Sequence, residues 1–144
     1  MKRSEFLKLS CTGCLLGAAG LVSMSALLES CSPATGSAVV KTPVTDKKMV
    51  VTLEQLALKP VTIVRGTGMD FDVAVHKTEH GSYEALLLRC THFSNPLIVN
   101  GTTYSCPLHG SEFDKEGKVR KGPAAQPLKK LACELNGNTL LIHV

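Results

Sequence analysis

Residues 90–113 read CTHFSNPLIVNGTTYSCPLHGSEF, and within them Cys90-Thr-His92 and Cys106-Pro-Leu-His109 stand thirteen residues apart. Each pair sets a soft thiolate beside a borderline imidazole, a donor set that suits zinc or an iron–sulfur cluster. Strand and turn chemistry surrounds both pairs. Leu97 to Val99, Asn100-Gly101 and Thr102 to Tyr104 form a hairpin candidate, with Asn-Gly suited to a type I′ turn, and it delivers Cys106 and His109 into a loop. Upstream, Phe71, Val73 and Val75 alternate with Asp72, Ala74 and His76, the pattern of a half-buried strand. Thr78-Glu-His80-Gly81 then turns the chain into a second strand, Tyr83 to Leu88, which runs straight into Cys90. Two hairpin-tipped loops are therefore predicted to carry the four candidate ligands.

Working outward, short β-type runs begin at Met49 with MVVTLEQLAL and PVTIVRG, and no long amphipathic helix follows. Lys130 to Leu135 and Thr139 to His143, joined by Asn136-Gly137-Asn138, are predicted to close the sheet behind the site. Aromatic residues make up 4% of the 144-residue chain and Trp is absent, while Val, Ile, Leu and Thr dominate the second half, as in a small β-rich protein. The length allows one modest core and leaves no room for a second catalytic domain. From residue 31 onward there are 13 Lys and Arg against 10 Asp and Glu, scattered rather than striped, so nucleic-acid binding is not indicated.

The N-terminus carries a different signal. KRSEFLK at 2–8 is basic, and the apolar stretch Leu15 to Leu28 has the length of an export-signal core rather than of a full membrane span. KRSEFLK is similar to a twin-arginine signal, with Ser4 where the second Arg would stand. Leu28-Glu-Ser30-Cys31 resembles a bacterial lipobox, which implies cleavage after Ser30 and a lipid on Cys31. An uncleaved helix from about Thr12 to Leu28 is the alternative membrane anchor. Residues 31–48, SPATGSAVVKTPVTDKK after the Cys, read as a flexible tether. Of six Cys, Cys11, Cys14 and Cys31 belong to this N-terminal part, leaving Cys133 as a buried thiol that acts as a small hydrophobe. His76, His80 and His143 lie outside any ligand motif and read as satisfied structural residues.

Taken together, CTH at 90–92, CPLHGSEFD at 106–114 and Gly122-Pro-Ala124 resemble the Rieske proteins. The resemblance implies an all-β fold, a small antiparallel β-sandwich or barrel over 49–144 with a cluster-binding subdomain. It implies one [2Fe–2S] cluster, with Cys90 and Cys106 on one iron and His92 and His109 on the other, nearest solvent. The respiratory members carry an extra Cys in each ligand loop, joined as a disulfide; here those places hold Ser94 or Asn95, and Leu108, so the centre is disulfide-free. Ser111 matches a serine that donates to a cluster sulfur, Phe113 stands where high-potential members have a hydrogen-bonding Tyr, and Gly122 and Pro123 match the loop that covers the cluster. The usual Gly soon after the first His is missing. The implied function is one-electron transfer by a membrane-tethered carrier, or by a small subunit of a respiratory or oxidase complex, with no independent catalytic site. Its partner would be a cytochrome or a quinol-oxidising or oxidase subunit, on the periplasmic side of the membrane. A ferredoxin component of an oxygenase system and a zinc-stabilised exported module are the alternatives.

Overall fold

The computed structural model describes residues 38–144. The export signal, the lipobox and residues 31–37 of the tether lie outside the described residues. The described part is built from thirteen strands and one short helix. In chain order these are β1 Ala38–Thr42, β2 Val44–Thr45, β3 Lys48–Thr52, α1 Leu53–Ala57, β4 Val61–Gly66, β5 Val73–Lys77 and β6 Tyr83–Leu87. They continue with β7 Ile98–Asn100, β8 Thr103–Ser105, β9 Glu112–Phe113, β10 Val119–Lys121, β11 Lys130–Leu131, β12 Cys133–Asn136 and β13 Thr139–His143. Among the described residues no helix is long and apolar enough to cross a membrane.

Three sheets result: a five-stranded one in the order β1-β4-β5-β6-β11, a four-stranded β12-β13-β3-β2 and a four-stranded β10-β9-β8-β7. The five-stranded sheet lies in the middle. Val73, Val75 and Ala85 of its β5 and β6 pack with Met49, Val51, Leu140 and Ile142 of the second sheet, forming one core of a sandwich. Its opposite face, through Ala74 and Leu86, packs with Leu88, Leu97, Tyr104 and Phe113 beneath the third sheet and the ligand loops. β5 is thus buried on both faces rather than half-buried, because the third sheet covers the side that Ala74 and His76 would otherwise show to water. All-β architecture with mainly antiparallel pairing is what the sequence predicts, and one pair departs from it: β1 runs parallel to β4.

That pairing also moves the domain's start. Part of the expected tether, Ala38 to Thr45, is strand: Val40 packs on the sandwich core, and the buried Thr42 donates its hydroxyl to Val50 O at 2.9 Å. The open edge of β4 captures an apolar Ala-Val-Val that composition alone had assigned to the linker. A second departure is α1, inside the run MVVTLEQLAL read as β. Thr52 Oγ1 accepts from Gln55 N at 3.3 Å and Gln55 Oε1 accepts from Thr52 N at 3.1 Å, a reciprocal capping box that starts one helical turn and seats Leu56 in the core. The Lys130–Leu135 run is split at Ala132, so β11 joins the central sheet against β6 while β12 joins β13 in the other. In the β7–β8 hairpin Asn100 pairs with Thr103, which leaves Gly101-Thr102 as the turn. Gly101 alone takes positive φ, 64°, at the first central position, so the turn is not the I′ type that needs positive φ at both.

Candidate metal centre

β5 and β6 set the position of the first loop: Leu88 N donates to Asp72 O at 2.9 Å, and Cys90 follows two residues later. That loop closes on itself, with Cys90 N donating to Asn95 O at 2.8 Å and Ser94 N to Cys90 O at 2.9 Å. The second loop, between β8 and β9, repeats the arrangement: Cys106 N donates to Ser111 O at 2.8 Å and Gly110 N to Cys106 O at 3.0 Å. In both, the fourth residue after the Cys has positive φ, 45° at Ser94 and 75° at Gly110. Ser94 therefore supplies the conformation for which a Gly was missing. Its Oγ accepts from Arg89 Nη2 at 2.6 Å, which ties the strained residue down.

These frames bring the four candidate ligands together. Cys90 and Cys106 are buried in one core cluster with Phe113. His92 and His109 are exposed, edge to face with ring centroids 5.0 Å apart. Among the described residues no three His, Cys, Asp or Glu side chains gather around one ion position. The quartet is instead two thiols side by side and two imidazoles side by side, the division that a two-iron cluster with unlike ends requires.

The surroundings favour thiolate. Burial pushes the Cys90 thiol up, but hydrogen bonds from the His92 and Phe93 backbone, with Cys106 and Ser111, outweigh it and leave the thiol lowered. Ser111 is fully buried, and its Oγ accepts from Ala124 N at 3.1 Å, which leaves the hydroxyl proton for the sulfur side. Gly122 and Pro123 are exposed and joined by a cis peptide, while Ala124 is buried against the core below the site. This segment is held at a second point by Thr91 Oγ1, which donates to Gln126 O at 2.6 Å. Phe113 is fully buried under the thiols, with no hydroxyl to offer.

Sequence reasoning passed over several contributors. Thr91 is the clamp just described, visible only once residues 91 and 126 meet. Tyr104 fills the core two residues before Cys106 with its hydroxyl 3.4 Å from Lys115 O, and burial, with the charges of Glu116 and Asp114, pushes its phenol up. Leu108, in place of an extra Cys, is exposed beside His109, as is Phe93 beside His92. The three described Cys are all free. Cys133 is half-buried, donates its thiol to Tyr83 O at 3.2 Å and is raised by burial, far from any ligand role. His76 is not a satisfied core residue: it is buried at the end of β5 away from the ligand loops, its Nδ1 has no hydrogen-bond partner, and Nε2 is 3.7 Å from Glu84 Oε2.

Fold and site define a small β protein that sets two thiols inside and two imidazoles at the surface of one pair of loops. The family model of the Rieske [2Fe–2S] domain matches residues 46–132, and the chain belongs to that family. Its cofactor is accordingly a Rieske [2Fe–2S] cluster. The mitochondrial Rieske subunit of the cytochrome b-c1 complex from Lagothrix lagotricha is 34% identical over 93 residues, covering 62% of this chain and 32% of the relative. The cytochrome b6-f complex iron-sulfur subunit of Chlorobaculum tepidum is 26% identical over 115 residues, 74% of this chain and 62% of its own. The chain thus spans about a third of the length of the mitochondrial relative. Among solved structures, the cyanobacterial plasma membrane Rieske protein PetC3 from Synechocystis PCC 6803 superposes with a TM-score of 0.54 at 29% identity, covering 65% of this chain and 95% of that one.

Proposed function

We propose that this chain carries out Rieske-type electron transfer, as a membrane-tethered one-electron carrier or as the small redox subunit of a respiratory or oxidase complex. The observation that carries this reading is the polarity of the centre, with buried thiols and two exposed imidazoles that open the site on one side only. A bound [2Fe–2S] cluster supplies a single level that accepts and returns one electron. Cys90 and Cys106 would hold one of its irons, and His92 and His109 the other. Ser111 donates toward sulfur, which favours the electron-rich reduced state. Ala124 and the covering segment keep water from the thiolate side, and the imidazoles are left as the contact through which a partner exchanges the electron. Relatives that serve in cytochrome b-c1 and b6-f complexes support a cytochrome or a quinol-oxidising subunit as that partner. The ligand loops without a disulfide are also compatible with an oxygenase-associated ferredoxin role, and the N-terminal sequence weighs against it.

Iron and acid-labile sulfide analysis with EPR of the dithionite-reduced protein tests the centre. Two irons and two sulfides per chain with a mixed-ligand signal are expected, and a colourless protein with one zinc would overturn the assignment. We further propose export to the periplasmic face and lipidation at Cys31. With β1 starting at Ala38, only residues 31–37 separate that anchor from the domain, a reach of at most about 25 Å. Cys31→Ala expressed in a bacterial host should lose fatty-acid labelling and shift to the soluble fraction; retention of both label and membrane association would exclude a lipid on this residue.

A further inference from the structure

A cleft of about 340 Å³ opens on the flank of the first ligand loop, backed by Cys90 and walled by Arg89, Thr91, Ser94, Gln126 and Lys129. Its charge is one-signed: no carboxylate lines it. Arg65, Lys121 and Lys130 each have a carboxylate partner, at 2.6, 3.3 and 2.8 Å, whereas among the described residues neither Arg89 nor Lys129 has one. Arg89 is held in place by Ser94 and by stacking over the Phe71 ring, 5.7 Å from its centroid. Lys129 has a fixed backbone, its carbonyl accepting from Leu87 N at 2.9 Å, and no partner for its ammonium among the described residues. The cleft thus pairs a pre-set guanidinium fork with a mobile point charge, and it adjoins the loop whose tip exposes His92 and Phe93.

We propose that this cleft is the charged half of a docking surface for an acidic, one-electron-accepting protein, the exposed imidazoles with Phe93 and Leu108 forming the uncharged half. The inference rests on the electron-transfer reading and adds the chemistry of the partner. A carboxylate of the partner seats against Arg89 and Lys129, where the Arg fork matches its geometry. Uncompensated positive charge beside the electron's exit raises encounter with an acidic surface and selects the orientation that presents the imidazoles. One electron leaves the reduced protein and reduces the acceptor by one; no bond forms or breaks.

Stopped-flow oxidation of the reduced, cluster-loaded full chain tests this with two charge forms of one acceptor: basic ferricytochrome c, and the same protein exhaustively succinylated so that its lysines carry carboxylates. At low ionic strength Lys129→Glu should lower the ratio of the succinylated to the native rate by about tenfold, and added salt should shrink the effect. Lys41→Glu, the same charge change on exposed β1, should move the ratio less than about twofold. The proposal falls if the two variants shift the ratio equally, or if phosphate at constant ionic strength abolishes the preference, which would assign the cleft to a small anion. Failure of both acceptors to oxidise any form would instead overturn the electron-transfer reading. An unchanged EPR spectrum in Lys129→Glu confirms that the centre is intact.

Discussion

The two ligand loops share one hydrogen-bonded frame and fill it differently. In each, the Cys N–H reaches the carbonyl five residues on and the Cys carbonyl receives the N–H four residues on. The first loop places its His two residues after the Cys and a serine at the positive-φ position; the second places His three residues after and a glycine. The fifth residue is half-exposed Asn95 in one loop and fully buried Ser111 in the other. A common backbone therefore fixes where two thiolates sit, and the unlike side chains decide what each loop contributes beyond that: Ser94 leans outward to Arg89, while Ser111 turns inward to the sulfur and the covering segment.

The largest effects come from treating the loops as equivalent holders. His92→Cys and His109→Cys should each alter or abolish the mixed-ligand EPR signal, while Cys133→Ala leaves it intact; a signal surviving in only one of the two His variants would show that the loops do not hold the irons alike. Next come the positive-φ positions. Gly110→Ala should cost about 1–2 kcal/mol in urea unfolding of the loaded protein, because an L side chain is forced into the left-handed region. Ser94→Gly relieves that strain but loses the Arg89 bond and loosens the unfolded chain, so its net change should stay within about 0.5 kcal/mol. An equal cost at both sites would mean that the shared frame tolerates neither. The fifth position is read by potential. Ser111→Ala, with one donor to sulfur gone, should lower the reduction potential by about 40 mV, the equivalent of roughly 1 kcal/mol for one electron. Asn95→Ala should leave it in place, since that side chain donates only to Pro96 O.

The smallest effect at neutral pH belongs to the far end of β5, where His76 is lowered by burial, with Lys115 adding to the shift and Glu84 opposing it. The unfolded chain takes up this proton near the ordinary 6.5 and the folded chain only at lower pH, so stability should fall as pH drops below about 6.5. His76→Gln should flatten that slope in urea titrations without touching the EPR signal. A changed signal would mean that the loops are not insulated from the base of their hairpin.

The β character, the hairpins that feed the loops and the meeting of His92 with His109 were legible, because each rests on residue types at short spacing. What was not legible depended on contacts across the fold. Nothing local marks Ala38-Val39-Val40 as a strand until the edge of β4 is present to receive it. The Thr52-Gln55 capping box was local and readable, and was masked by a β-type run of Met-Val-Val before it. Ser94 could not be recognised as the substitute for a missing Gly, since a serine at positive φ needs Arg89 to anchor it. The Thr91 clamp joins residues 35 apart.

The parallel pairing of β1 with β4 has a directional consequence. β6 runs toward the ligand loops and β4 runs the same way, so β1 does too, and its first residue, Ala38, pairs beside Thr62 on the level of Val75 and Ala85, midway along β5 and β6. The described chain therefore starts out travelling toward the end of the sheet from which Cys90 and His92 project. The strand that opens the described domain and the strand that delivers Cys90 therefore point the same way, with the exposed imidazoles ahead of both.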